Sequence, residues 1–137
     1  MEYTAEAVQQ QAMQFVVTAG PHSVTTDYPV KPGEAGAGLR PLEMLLGSLA
    51  SCAGGSMAAM LRRAGQQSTG IKVTARGDRR AEHPTVFTQI ALEFVVSGPV
   101  DPAAVQKALE LSESEICPVW AMLKPGTSIT SSLTIEP

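Results

Sequence analysis

Two cysteines, Cys52 and Cys117, carry the most reactive side chains in this chain of 137 residues. A thiolate is a strong nucleophile, and how much of it exists at neutral pH depends on what surrounds the sulfur. Cys117 stands directly before Pro118, where a short helix is expected to begin. The helix dipole and its free N–H groups favour a thiolate there, so the local sequence predicts a depressed pKa. Cys52 lies mid-way along the most apolar stretch of the chain and has no such local help. It needs a cation from elsewhere, because apolar surroundings favour the neutral thiol. If the two thiols meet, they have the logic of a peroxide-reducing site: one is oxidised to a sulfenic acid, which the other condenses with to form a disulfide. Spacing alone does not show that they meet, and the competing reading is two buried, inert thiols.

Other chemistries fit less well. His22 and His83 share no CxxC or HxxxH spacing with the cysteines or with each other, so neither a zinc site nor a Cys-His acyl-transfer pair is expected. Gly36-x-Gly38 follows no strand and lacks a third glycine, so no phosphate cradle is read there. No metal and no cofactor is expected. Charged residues are 17% of the chain, against about a quarter in an average soluble domain. With ten basic and thirteen acidic residues the net charge is −3, and Lys and Arg are scattered apart from Arg62-Arg63 and Arg79-Arg80. That balance excludes a concentrated basic face for nucleic acid. The N-terminal residues show neither a basic segment nor an apolar core of signal-peptide type, so a cytoplasmic protein is expected, with its two cysteines reduced.

The elements that must position the thiols follow from local patterning. Met13–Thr18 and Ser23–Asp27 are β-branched runs flanking the turn Ala19-Gly20-Pro21, with a weaker strand at residues 3–9. Pro29–Pro41 reads as a loop. Pro41 suits the first position of a helix, and Ala64-Gly65 suits its end, with Arg62 and Arg63 in the last turn. Between them Met44–Leu61 carries no charge at all. Its length is that of a membrane span, but its serines and glycines dilute it, and a core helix is expected instead, with no membrane partner. A chain this short cannot surround such a helix, about 35 Å long, so a second chain is expected to cover part of it. Gly47, Gly54 and Gly55 suggest close approach of another backbone.

Ile71–Arg76 alternates, as do Ile90, Leu92, Phe94 and Val96 against their neighbours, giving two strands joined around His83-Pro84. Asp101-Pro102 opens a second helix whose one face holds Val105, Ala108, Leu109, Ser112 and Ile116. A short helix Val119–Leu123 ends at Lys124-Pro125-Gly126, and Ile129, Leu133 and Ile135 mark a last strand. The order predicts an α+β fold: N-terminal antiparallel strands, a long buried central helix, further strands and a second helix, in one domain over residues 1–137.

The stretch from Pro41 to Cys52, PLEMLLGSLASC, resembles the long-helix motif of the OsmC/Ohr family, osmotically inducible protein C and organic hydroperoxide resistance proteins. Ile116-Cys117-Pro118-Val119 resembles its second cysteine motif, and Arg79-Arg80, Pro84, Phe87-Thr88 and Ile90 also look like the family. The resemblance covers residues 40 to 125 well. It implies an OsmC-like intertwined homodimer with its long helices buried at the centre. It also implies thiol-dependent peroxidase activity on small organic hydroperoxides, with Cys52 attacking, Cys117 resolving and a dithiol such as lipoamide as reductant. Two departures stand out. Residues 1–30 contain neither Arg nor Lys, whereas the family's peroxidases hold the reactive thiolate with an arginine in these strands. The family's glutamate directly follows the motif proline, where this chain has Leu42 and offers Glu43 one step later. Arg40, Arg79 and Arg80 are the substitutes for the missing cation, and Arg40 and Glu43 complete the expected site. Glu43 lies nine residues from Cys52, about 13.5 Å along a helix. It therefore serves a site only from a partner chain, or else it serves the helix N-terminus. The rival reading is a dimeric redox-sensing or small-ligand-binding module of the same fold.

Overall fold

The structure is a computed structural model that describes residues 1–29 and 31–137; Val30, in the expected loop, lies outside the described residues. The chain divides into two compact units, Met1–Leu45 and Leu46–Pro137. The first is an antiparallel meander of β1 (Glu6–Gln11), β2 (Gln14–Ala19) and β3 (His22–Thr26). β2 and β3 turn at Gly20, whose φ of 59° lies in the left-handed region that glycine adopts without strain. The segment after β3 is held to it. Asp27 N–H donates to the Leu39 carbonyl at 3.0 Å, and the Asp27 carboxylate accepts from the N–H groups of Tyr28 and Ala37.

Helix α1 (Pro41–Arg63) begins and ends where the sequence signals place it. At its end Gly65 takes φ 71° and the Gln66 N–H returns to the Leu61 carbonyl, closing the last turn. Leu49, Ala53, Ser56, Met57 and Leu61 are buried, a stripe at helical spacing. By length and composition α1 could cross a membrane; here that stripe forms part of the second unit's core. The opposite side, with Gly47, Ser48, Ser51, Gly55, Ala58 and Ala59, is exposed in the single chain. The expected burial on all sides is therefore met by this chain on one face only.

The second unit's sheet has the order β4 (Gly70–Arg79), β5 (Phe87–Ser97), β6 (Ser128–Glu136). β4 and β5 pair antiparallel around a turn containing the cis His83-Pro84 peptide, and β5 pairs parallel with β6. The central strand shows the expected alternation, with Ile90, Leu92, Phe94 and Val96 all buried. A parallel neighbour needs a crossover, and α2 (Pro102–Leu111), a π-helical turn (Ser112–Ile116) and α3 (Pro118–Leu123) provide it. Asp101 caps α2, its carboxylate accepting from the Ala103 N–H. Trp120 of α3 is buried and stacks on Phe94 of β5 with ring centroids 6.4 Å apart.

The π-turn corrects one expectation. An unbroken α-helical face would bury both Ser112 and Ile116; Ser112 is fully buried, but Ile116 is 45% exposed. The Cys117 N–H reaches the Ser112 carbonyl at 2.9 Å, five residues back instead of four. That wider turn rotates Ile116 off the buried face and delivers Cys117 inward.

Candidate functional site

The central helix and the π-turn bring the Cys52 and Cys117 side chains close enough to influence each other, and neither is in a disulfide. Their settings differ. Cys52 is half-buried, whereas Cys117 is 1% exposed. Burial pushes the Cys117 thiol up to about 11 from an ordinary 9.0, and the neighbouring Cys52 side chain adds to the rise. The Trp120 and Val119 N–H groups at the start of α3 pull in the opposite direction and are outweighed. The depressed pKa expected from the helix N-terminus is thus overturned: desolvation of the charged form exceeds the favourable end of a six-residue helix.

Two serines that sequence reading passed over as ordinary helix residues hold this pair. Ser56 is buried, and its hydroxyl donates to the Cys52 carbonyl at 2.9 Å, one turn back along α1. The fully buried Ser112 touches both cysteine segments. Its hydroxyl donates to the Ala53 carbonyl at 3.4 Å, and its own carbonyl accepts from the Cys117 N–H. A polar side chain on an otherwise apolar helix face was the available signal, since a buried hydroxyl requires a partner.

The other two predicted site residues have engagements of their own. Glu43 accepts the Arg40 N–H at 2.8 Å, while the Arg40 carbonyl accepts from Met44, which makes Arg40 the N-cap and Glu43 the reaching-back carboxylate of α1. The Arg40 guanidinium lies 5.3 Å from the centre of the Tyr28 ring. Arg80 donates through Nε to the Pro84 carbonyl at 2.7 Å, and Arg79 ends β4. Among the described residues no group of three or more His, Cys, Asp and Glu side chains is disposed to hold a metal ion.

A different face of α1, which bears neither cysteine, borders an open groove of about 490 Å³ lined by Gly47, Ala50, Ser51, Gly54, Gly55 and Ala58 with Ile71 and Val73 of β4. Gly54 makes room for the strand: a Cβ there would lie 3.1 Å from Val73 Cγ2.

The arrangement of strands, long helix, cysteine, crossover and second cysteine has counterparts. Residues 33–132 match the model of the OsmC family, described as OsmC-like protein. The chain belongs to the OsmC-like family. Protein YhfA of Escherichia coli K12 is 33% identical to it over 96 residues, covering 69% of this chain and 72% of YhfA. A crystal structure of an Aquifex aeolicus VF5 protein shares the fold with a TM-score of 0.90 at 28% identity, covering 99% of this chain and 97% of that one. The organic hydroperoxide resistance protein OsmC of Legionella pneumophila has the same fold at 15% identity and TM-score 0.74, covering 96% and 97%. The expected OsmC-like α+β fold is thereby established.

Proposed function

We propose that this OsmC-like protein is a thiol-dependent peroxidase that reduces organic hydroperoxides, with Cys52 attacking and Cys117 resolving. The observation that carries this reading is the proximity of a half-buried thiol to a fully buried one. Cys52, the more exposed, is reachable by a hydroperoxide. Its thiolate attacks the terminal peroxide oxygen, an S–O bond forms, the O–O bond breaks, and the alkoxide leaves to be protonated to an alcohol. The Cys52 sulfenic acid then condenses with the Cys117 thiol. The S–S bond forms as the sulfenic hydroxyl leaves with the Cys117 proton as water, and an external dithiol restores both thiols. The working form is a homodimer with the exposed α1 faces covered, in the reducing cytoplasm, where both thiols are kept free.

The test is to expose the reduced protein to stoichiometric cumene hydroperoxide or hydrogen peroxide and follow the Cys52–Cys117 disulfide by mass spectrometry. Rapid disulfide formation with the organic peroxide is expected, abolished in Cys52→Ser and replaced by a trapped sulfenic acid in Cys117→Ser. Slow oxidation without preference for the organic peroxide would instead support a redox-sensing or ligand-binding module. That second reading is favoured by one observation, the absence of Arg and Lys from residues 1–30.

A further inference from the structure

Around the end of α1, Met60, Arg63 and Ala64 recur at the three- and four-residue spacing of one helix face. Ala104, Lys107, Ala108 and Leu111 do the same along α2. These two columns line an open trough of about 390 Å³, within the second unit and inside the usual size range of small-molecule sites. Its floor is apolar, with Ala108 buried and Met60, Ala104 and Leu111 half-buried, while Arg63 and Lys107 stand exposed. No acidic side chain lines it. Among the described residues Arg63 and Lys107 enter no ion pair, whereas Arg76 pairs with Glu93 at 3.2 Å and Lys124 with Glu113 at 3.9 Å. Glu110, one turn on from Lys107, accepts from the Gln106 amide instead. We propose that this trough binds a small amphipathic acid, a medium-chain alkyl carboxylate, with its head between Arg63 and Lys107 and its tail over Met60, Ala108 and Leu111.

Charge complementarity selects the head. Two unpaired cations beside one trough, in a chain of net charge −3, call for an anion, and the planar guanidinium of Arg63 matches a carboxylate in particular. The floor selects the tail. A bare anion would use only the exposed cations, where salt screens it, and would leave the apolar floor wet. An alkyl chain covers that floor. The place of the trough keeps it apart from the other surfaces of α1. At about 100° per residue, Met60 and Ala64 point the same way as the buried Ala53, away from Gly55 and Ala58 on the exposed side. A second copy seated on that exposed side therefore leaves the trough open. Arg63 is eleven residues from Cys52, about 16.5 Å along the helix, so the head group lies outside reach of the thiols.

The proposal goes beyond the peroxidase reading and its test uses no peroxide. Binding of decanoate to the intact reduced protein is measured by titration calorimetry at low salt. One molecule per chain is expected, with saturation well below the concentration at which decanoate forms micelles. Octanoate is expected to bind roughly tenfold more weakly, the effect of two fewer buried methylenes, and decanol, which lacks the charge, at least about tenfold more weakly. The double variant Arg63→Gln/Lys107→Gln changes two exposed side chains and is expected to bring decanoate down to the affinity of decanol. Ala104→Leu keeps both cations but fills the trough, and is expected to abolish binding of decanoate. The proposal is overturned if decanoate saturates only as micelles, binds at several sites per chain, or binds no better than decanol or butyrate. Unchanged decanoate affinity in the folded double variant or in Ala104→Leu would overturn it as well.

Discussion

At the residue scale the decisive contrast is between two neighbouring thiols. Residue type and the motifs around them single out both as the candidate reactive groups. What was not legible was the direction of the Cys117 shift, because a helix N-terminus is a local feature and burial is a tertiary one. For Cys117 burial wins, and the consequence for stability has a definite sign. The folded thiol titrates near 11 against an ordinary 9.0. A group whose pKa rises on folding stabilises the fold fully below its unfolded value, and that contribution is lost as pH climbs through the folded one. Wild type is therefore expected to lose stability relative to Cys117→Ala between about pH 9 and 11, and not below it. Urea midpoints of both reduced proteins across that range check this, and parallel pH profiles would show that Cys117 is not held protonated. Glu43 is the opposite case: its carboxylate accepts from the Arg40 N–H at the start of its own helix, a local engagement that the sequence offers beside the partner-chain one.

At the scale of elements, the strands and helices follow the periodicities and caps of the sequence closely, from Gly65 ending α1 to Asp101 opening α2. The π-turn did not show itself, because five-residue spacing leaves no pattern in a helix only one turn longer. Its effect is concentrated in Ser112, which links the segment bearing Cys117 to the helix bearing Cys52. Ser112→Ala removes the hydroxyl but keeps the carbonyl that receives Cys117. The expected cost is about 1 kcal/mol in stability, the worth of one hydrogen bond. The kinetic signature is more specific: sulfenic acid forms at Cys52 at the wild-type rate, while its condensation with Cys117 slows and over-oxidation to sulfinic acid increases. Rapid-quench mass spectrometry separates the two steps. A uniform slowing of both would show that Ser112 supports the fold without registering the sulfurs. The parallel β5–β6 pairing is a second feature that became visible only in three dimensions. The crossover between Ser97 and Ser128 is long enough to permit it, but length does not choose the direction of the returning strand.

At the scale of the molecule, the charge deficit and the architecture converge on one face. α1 spends its large apolar residues on the core, so the side it leaves to solvent carries Gly47, Ser48, Ser51, Gly55, Ala58 and Ala59, with neither a charge nor a large side chain. Of the three helix glycines, Gly54 is accounted for by Val73, while a Cβ at Gly47 or Gly55 would meet nothing within 4 Å in this chain. An isolated protein gains about 1 kcal/mol from replacing such a glycine with alanine. A helix packed through that face against a second copy loses instead, because the added methyl intrudes on the partner. The sign of the Gly55→Ala effect on thermal stability therefore reports whether the face is covered, and the homodimer predicts a loss. Ala58→Arg extends the argument to assembly. On an exposed helix position the substitution changes stability by no more than about 0.5 kcal/mol, whereas an unpaired charge in a dry interface costs about 3–5 kcal/mol. Sedimentation at micromolar concentration is expected to show a dimer for the wild type and a folded monomer for Ala58→Arg. A stabilising Gly55→Ala together with unchanged sedimentation of Ala58→Arg would place the interface elsewhere on the protein.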